Sequence, residues 1–150
     1  MTGAEIYALA RAAGFPAVVA VTMTAIALRE SGGNPNAYNG DAATGDRSYG
    51  LWQINMFGAL AAPRMAQFGI GHEKQLFEPA ANAHAAFVLW GGDNKNLSVA
   101  WYIDRGGLYQ TRYESHLAAA QAAALAASQF SASPWKPSDP VWPPSAEPGT

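Results

Sequence analysis

The apolar segment Phe15–Leu28 constrains the fold more than any other part of the chain. It has 14 residues and includes Pro16, whereas a helix that crosses a bilayer needs about 20 apolar residues. A signal peptide would begin with basic residues and end at a small-residue cleavage site, but here Glu5 precedes the segment and Arg29 follows it. We therefore predict a helix buried in the core of a globular domain, with no membrane contact and no signal peptide.

Composition limits the classes of function. The 150 residues suit one domain, and 49% of them are hydrophobic, which is enough for a core without covalent cross-links. The net charge of −2 gives no basic surface for nucleic acid or an anionic membrane. The chain lacks cysteine, which excludes disulfides and thiolate metal sites, and its three histidines are too widely spaced for a zinc site. We expect no metal and no cofactor.

Capping and stop signals predict a mostly α-helical domain. Thr2 and Glu5 match a capping box that begins a first helix, and Pro16 suits the first position of a second helix. Residues 34–47 are rich in Asn, Gly, Asp and Pro, so we expect turns there. The predicted fold class is mostly α, or α+β, with a long loop or a minimal sheet beside a cleft. The predicted helices cover about residues 3–13, 16–30, part of 59–68, 78–90, 97–103 and 111–129.

Prolines divide the chain into two regions. Six of the ten lie between Pro134 and Pro148, a density that excludes helix in a segment with few aliphatic residues to bury. We therefore predict a domain at residues 1–130 and an extended linker at residues 131–150 that leads to a further domain. The alternative is a disordered tail.

Glu30 is the residue best suited to acid catalysis. At 100° per residue, Val19, Met23, Ile26 and Glu30 fall within about 60° of one another on the second helix. The carboxyl group therefore points toward the core side, where burial raises its pKa, and the negative end of the helix dipole adds to this effect. Both effects favour a proton held near neutral pH, as a general acid requires. The alternative is a solvated acidic group at a helix end.

The segment Ser48–Asn55 carries groups that suit a carbohydrate cleft. Tyr49 and Trp52 offer aromatic faces for stacking on sugars, although Trp52 alone would suit core packing better. Gln53 and Asn55 offer amide donors and acceptors. Together with the carboxyl group at the end of the second helix, this segment predicts an acid-assisted glycosidase.

Two motifs resemble the lysozyme-like fold of soluble lytic transglycosylases and goose-type lysozymes. They are Ala-Leu-Arg-Glu-Ser-Gly-Gly-Asn-Pro at residues 27–35 and Ser-Tyr-Gly-Leu-Trp-Gln-Ile-Asn at residues 48–55. Those families have a catalytic Glu followed by Ser and a Gly-Leu-Met-Gln motif, in which Trp52 here replaces Met. Their third motif, Ala-Tyr-Asn-x-Gly, matches residues 100–106 loosely, with Tyr102 at its Tyr and without its Asn. The resemblance covers about residues 4–127.

The resemblance implies a peptidoglycan glycosidase whose partner is the glycan strand. Glu30 would protonate the oxygen of the β-1,4 bond between N-acetylmuramic acid and N-acetylglucosamine. Ser31 would help to set the local hydrogen bonding, Gln53 would hold an N-acetyl or hydroxyl group, and Tyr102 would support Glu30 or the sugar. The segment from Tyr49 to Asn55 would form the glycan-facing wall.

The product depends on a second carboxylate. A hydrolase normally uses one as a nucleophile or to activate water, whereas a lytic transglycosylase uses the 6-hydroxyl of its substrate and leaves a 1,6-anhydro end. Asp46 resembles the Asp of the goose-type Gly-Asp-Arg segment, Asp41 is a second candidate, and Asn55 stands where another goose-type Asp lies. Asp46 slightly favours hydrolysis, but it also suits a turn residue or an ion-pair partner of Arg47 or Arg105. A lysozyme-like module that binds glycan without cutting it is the alternative from another class.

The lack of cysteine, the alanine and tryptophan content and the Pro-rich segment resemble the lysis or virion-entry modules of bacteriophages. We expect a phage-encoded endolysin or virion-associated lysin, made in the host cytoplasm and acting on the cell wall as a monomer. A bacterial wall-remodelling enzyme is the alternative.

Overall fold

The computed structural model describes residues 1–92, 95, 101, 112–127 and 132–135. This part of the chain contains five α-helices and one three-stranded antiparallel sheet. It also contains 3-10 helices at Gly58–Leu60, Glu73–Phe77 and Glu114–His116. The elements are α1 (Gly3–Ala13), α2 (Ala17–Ser31), α3 (Ala61–Phe68), α4 (Pro79–Gly92) and α5 (Leu117–Ala126), with β1 (Tyr38–Asp41), β2 (Asp46–Tyr49) and β3 (Ile54–Asn55). The prediction of a mostly helical domain with a minimal sheet is confirmed.

The first two helices begin and end close to the predicted positions. The Thr2 hydroxyl accepts the Glu5 N–H at 3.2 Å and the Glu5 carboxylate accepts the Thr2 N–H at 2.9 Å, which completes the capping box. Pro16 is the N-cap of α2 instead of its first residue, and its carbonyl accepts the first helical hydrogen bond, from Ala20. The helix stops at Gly32, whose φ of 62° lies in the left-handed region that glycine adopts without strain.

The segment predicted to be a loop, residues 34–47, instead contributes most of a β-hairpin. Tyr38 of β1 pairs with Tyr49 of β2, and Asp41 pairs with Asp46 at the turn end. Each strand has four residues or fewer, which is too short for the alternation of apolar and polar side chains that identifies a strand. All four residues of β1 are exposed. The strand therefore needs no apolar residues that face a core, and its composition resembles that of a loop.

The later helices differ from the prediction at their ends. The helix predicted from residue 78 begins at Pro79, the first residue of α4, and the Glu78 side chain accepts the Ala81 N–H at 2.8 Å. The same helix continues through Gly91 and Gly92, two residues beyond the predicted end at about residue 90. α5 begins only at Leu117, after a 3-10 turn. The helix predicted at residues 97–103 lies outside the described residues, except for Trp101.

α2 is a buried core helix, as its apolar sequence predicts. Met23 and Ile26 are fully buried, and α2 packs against α1 and α5. At its start, the Phe15 ring contacts Phe87 and Trp90 of α4, with centroid distances of 5.3 and 5.2 Å. Within the part of the chain that the structure describes, no helix combines the length and the apolar character needed to cross a membrane.

Trp135 packs onto the helical domain from within the predicted linker. Its side chain is buried, and its ring centroid lies 5.3 Å from that of His84 on α4. This aromatic side chain supplies apolar surface that the prolines do not, and the domain boundary after residue 130 stays a prediction. Residues 136–150 lie outside the described residues, so the linker there stays a prediction.

Candidate functional site

Glu30 lies in the last turn of α2, one residue before the helix ends at Ser31. Its side chain is half-buried, whereas that of the neighbouring Arg29 is exposed. This arrangement confirms the prediction that Glu30 continues the buried stripe of Met23 and Ile26 and that Arg29 does not. The carboxyl group is therefore partly shielded from water at the negative end of a helix dipole.

Ser31 organises the end of the helix next to Glu30. Its hydroxyl donates to the Ala27 carbonyl at 2.9 Å and accepts the Gly33 N–H at 3.2 Å. An α-helix leaves its last four carbonyls without helical partners, and the N–H groups that follow it need acceptors of their own. The Ser31 side chain therefore fixes the backbone directly after Glu30, in line with the local hydrogen bonding expected of it.

The turn Gly50–Gln53 has left-handed backbone at both ends. Gly50 has a φ of 74° and Gln53 a φ of 50°, and the Gln53 N–H donates to the Gly50 carbonyl at 3.1 Å. A residue other than glycine loses about 1–2 kcal/mol in this conformation. Gln53 Nε2 offsets the cost by donating to the carbonyls of Gly50 at 3.0 Å and Ala37 at 3.1 Å. Among the described residues no donor bonds to Gln53 Oε1, which leaves this atom as an acceptor for a ligand.

Asn82 of α4 holds this turn, although no sequence motif pointed to it. The fully buried side chain accepts the Trp52 N–H at 2.9 Å and donates to the carbonyls of Tyr49 at 2.8 Å and Leu76 at 2.9 Å. A Cβ on Gly50 would lie 2.5 Å from Asn82 Nδ2, so glycine is required for this close approach. The available signal was an amide in an otherwise apolar helix, since a buried amide must find hydrogen-bond partners.

The structure buries the rings of Tyr49 and Trp52, which confirms core packing for Trp52 and leaves neither ring face open to a sugar. Trp52 is completely buried, and its indole N–H donates to the Met23 carbonyl at 2.8 Å. Tyr49 is only 5% exposed, and its hydroxyl donates to Glu73 Oε1 at 3.1 Å. Burial and the negative charge of Glu73 raise the pKa of Tyr49. Both rings belong to the core beneath the site.

Asp46 and Asp41 lie opposite each other at the turn end of the hairpin, with their side chains on the same face of the sheet. Asp46 Oδ2 accepts the Thr44 hydroxyl at 2.7 Å, and Asp41 Oδ1 accepts the Ala43 N–H at 3.0 Å. Both carboxylates therefore stabilise the turn, as one of the two alternatives for Asp46 predicted. Asp46 is half-buried and Asp41 is exposed. A catalytic role of either carboxylate stays a prediction.

Arg47 forms an ion pair with Glu73 and none with Asp46. Its Nε lies 2.8 Å from Glu73 Oε1, and its Nη2 lies 3.0 Å from Glu73 Oε2 and 2.6 Å from the Met56 carbonyl. The bidentate geometry joins β2 to the 3-10 helix that begins at Glu73. The alternative in which Arg47 neutralises Asp46 is therefore wrong, while Arg105 lies outside the described residues.

Asn55 binds the backbone on both sides of Asp46. Its Oδ1 accepts the N–H groups of Arg47 and Phe57, both at 3.0 Å, and its Nδ2 donates to the Gly45 carbonyl at 3.0 Å. Asn55 thus holds the turn that carries Asp46, instead of directing a free amide toward a sugar as expected. A side-chain type alone cannot distinguish these two uses of an amide.

A hydrogen bond from Trp101 joins the third motif to the second. This side chain is buried, and its Nε1–H donates to the Trp52 carbonyl at 2.9 Å. Tyr102 lies outside the described residues, so its support of Glu30 or the sugar stays a prediction. Within the described ranges, no group of three or more His, Cys, Asp or Glu side chains could hold a metal ion.

A family model described as a lysozyme-like domain matches residues 7–98, more than half of the chain. The matched region contains Glu30, the turn Gly50–Gln53 and Asn82. No curated protein matches the chain, and no solved structure matches it.

Proposed function

The chain belongs to the lysozyme-like domain family, which indicates an enzyme that cleaves peptidoglycan, and on that premise we propose a muramidase. The enzyme cuts the β-1,4 bond between N-acetylmuramic acid and N-acetylglucosamine, with Glu30 as the general acid. The observation that carries this proposal is the half-buried position of Glu30 at the end of α2, where Ser31 fixes the backbone that follows.

In the proposed reaction, Glu30 donates its proton to the glycosidic oxygen as the bond to the anomeric carbon breaks. Glu30 lies half-buried at the C-terminus of α2, and this step needs its carboxyl group to carry a proton. Gln53 Oε1 accepts a hydrogen bond from an N-acetyl N–H or a sugar hydroxyl, since its Nε2 is already bonded to two backbone carbonyls. The general acid supplies about 10²–10⁴-fold of the rate.

Hydrolysis is favoured because of Asp46. In this version Asp46 removes a proton from the water that attacks the anomeric carbon, while Glu30 protonates the leaving sugar. The half-buried Asp46 suits this role better than the exposed Asp41, and Arg47 does not neutralise it because Arg47 is paired with Glu73. If Asp46 only stabilises its turn, the substrate's 6-hydroxyl attacks instead, and the enzyme is a lytic transglycosylase.

The variant Glu30→Gln tests whether the protein is an enzyme that uses Glu30 as its general acid. It keeps the shape of the side chain but cannot donate the proton, so we expect turnover of purified cell walls to fall by about 10²–10⁴-fold. Glu5→Gln is the matched control, because glutamine also completes a capping box. If both proteins clear the walls equally, Glu30 is not the general acid. If neither clears them, the alternative of a module that binds glycan without cutting it is favoured.

Mass spectrometry of the soluble fragments distinguishes the two reactions. Hydrolysis leaves reducing N-acetylmuramic acid ends, whereas transglycosylation leaves 1,6-anhydro ends, which are lighter by one water. Predominant anhydro ends would overturn the hydrolase proposal and leave the role of Glu30 intact. The roles of Ser31 and Tyr102 at the sugar, the phage origin and the monomeric state stay predictions.

A further inference from the structure

Tyr38 is the aromatic side chain that the structure leaves at the surface. It is 53% exposed, whereas every other aromatic side chain among the described residues is buried or half-buried. The rings of Tyr49 and Trp52, the other aromatic side chains weighed for stacking, lie in the core. An exposed tyrosine ring offers a ligand both an apolar face and a hydroxyl group.

The Tyr38 ring is held in a fixed position along β1. It contacts the edge of the Tyr49 ring, with a centroid distance of 5.1 Å and an interplanar angle of 61°. Its outer part lies over Gly40, since a Cβ at residue 40 would come within 2.6 Å of both Cε2 and the hydroxyl oxygen of Tyr38. The Tyr49 ring at one side and the bare backbone of Gly40 beneath support the ring while leaving about half of it in solvent.

The backbone links Tyr38 directly to the candidate site. The carbonyl of Ala37, the preceding residue, accepts the Gly50 N–H at 2.7 Å and Gln53 Nε2 at 3.1 Å. β1 thus begins where the turn Gly50–Gln53 is fastened, and it follows the end of α2 that carries Glu30.

We infer that Tyr38 is a glycan-binding residue, whose exposed ring face packs against a sugar ring of the peptidoglycan strand beside the cleavage site. The C–H groups on one side of a pyranose form an apolar face, and a rigid aromatic ring buries that face while its hydroxyl stays solvated. This inference rests on the proposed function for the identity of the ligand. It assigns substrate contact to Tyr38 in place of Tyr49 and Trp52.

The competing explanation is that Tyr38 only covers a glycine on an edge strand, a known way to stabilise exposed β-structure. Under that explanation, replacing the ring lowers the melting temperature and leaves glycan affinity unchanged. Two variants separate the explanations. Tyr38→Ala removes the ring, whereas Gly40→Ala keeps it and displaces it, and Gly40 has no positive φ that would strain alanine.

Binding is measured in a Glu30→Gln background, so that the glycan is not consumed. The probe is soluble, uncrosslinked N-acetylglucosamine–N-acetylmuramic acid strands, titrated by calorimetry. We expect Tyr38→Ala and Gly40→Ala each to weaken binding by roughly tenfold, a ring contact of about 1.4 kcal/mol, and Tyr38→Phe to keep most of the affinity. Leu125→Ala, at an 86% exposed position on α5, is the control for a surface change away from the hairpin.

Unchanged affinity in Tyr38→Ala would overturn the inference, as would a parent protein that binds no glycan. A loss in Tyr38→Ala without a loss in Gly40→Ala would also contradict it, because the position of the ring would then be irrelevant. The outcome does not depend on cleavage. If wild type fails to cut walls while Tyr38→Ala binds glycan more weakly, the proposed function is wrong and the glycan contact stands.

Discussion

The side-chain oxygen of Asn82 accepts the backbone N–H of Trp52 at 2.9 Å, across 30 residues of sequence. The same side chain donates to the carbonyls of Tyr49 and Leu76, so one amide fixes both sides of the turn that carries Gln53. The candidate site therefore depends on a residue of α4 that lies in the core beneath it.

Replacing Asn82 is expected to destabilise the protein strongly. Asn82→Ala removes the side chain that bonds one buried N–H and two carbonyls, and each buried group left unsatisfied costs about 1–3 kcal/mol. Asn82→Asp keeps the acceptor for Trp52 but cannot donate to the two carbonyls, so it should also lose stability. Urea denaturation followed by circular dichroism measures the effect. A free energy of unfolding within about 0.5 kcal/mol of wild type, as expected for a neutral surface change, would contradict the assigned role.

Gln53→Gly separates the strain at Gln53 from its function. Glycine adopts the φ of 50° without strain, so the variant should fold with a melting temperature close to wild type. Activity should fall by about tenfold or more, because the amide that accepts a substrate hydrogen bond is gone. Cell-wall turnover and thermal unfolding are measured on the same preparation. A fully active Gln53→Gly would show that the side chain has only a structural role.

Asp46→Asn and Asp41→Asn form a matched pair at one end of the hairpin. Each asparagine keeps an oxygen that can accept the turn hydrogen bond, so neither change should unfold the protein. If Asp46 is the base, hydrolysis falls by about 10²-fold or more in Asp46→Asn and stays near wild type in Asp41→Asn. The release of reducing ends reports the rate. Equal activity of the two variants would assign both residues to the turn alone.

Asn55→Asp is expected to destabilise the hairpin without improving hydrolysis. The new carboxylate would lie about 3 Å from the Gly45 carbonyl, where Nδ2 now donates, and would be close to Asp46. Its charge is disfavoured there, so the loss of stability should be largest above the pKa of the new acid and should shrink as the pH falls. Melting temperatures of wild type and variant are compared from pH 7 to pH 4. A difference that does not depend on pH would exclude this electrostatic cause.

His84, whose ring lies near that of Trp135, is expected to make the stability of the protein depend on pH. Burial lowers the pKa of His84 below its ordinary value of 6.5, although a hydrogen bond with the Phe68 backbone opposes the shift. The unfolded chain therefore binds this proton more readily, and stability falls as the pH drops below about 6.5. We expect the melting temperature of wild type to fall more between pH 7.5 and pH 5.5 than that of His84→Gln. Equal falls would show that His84 does not contribute.

Much of the helical framework could be predicted because its signals are local. The Thr2–Glu5 capping box, Pro79 at the start of α4 and Gly32 after α2 each act within one turn of helix. The hairpin could not be predicted, since its strands are short and the exposed β1 has the composition of a loop. Pairing with β2 defines that strand, and the pairing depends on where the rest of the chain places Tyr49.

The sequence by itself determined which carboxyl group lies at the end of the core helix, because a 100° rotation per residue fixes the face on which Glu30 follows Met23 and Ile26. Only the tertiary structure decided which aromatic ring remains exposed. Trp52 and Tyr49 are buried by contacts with α2, α4 and the 3-10 helix at Glu73, and Tyr38 is left at the surface. Helical faces follow from neighbouring residues, whereas burial of a side chain depends on groups far away in the sequence, which no local pattern records.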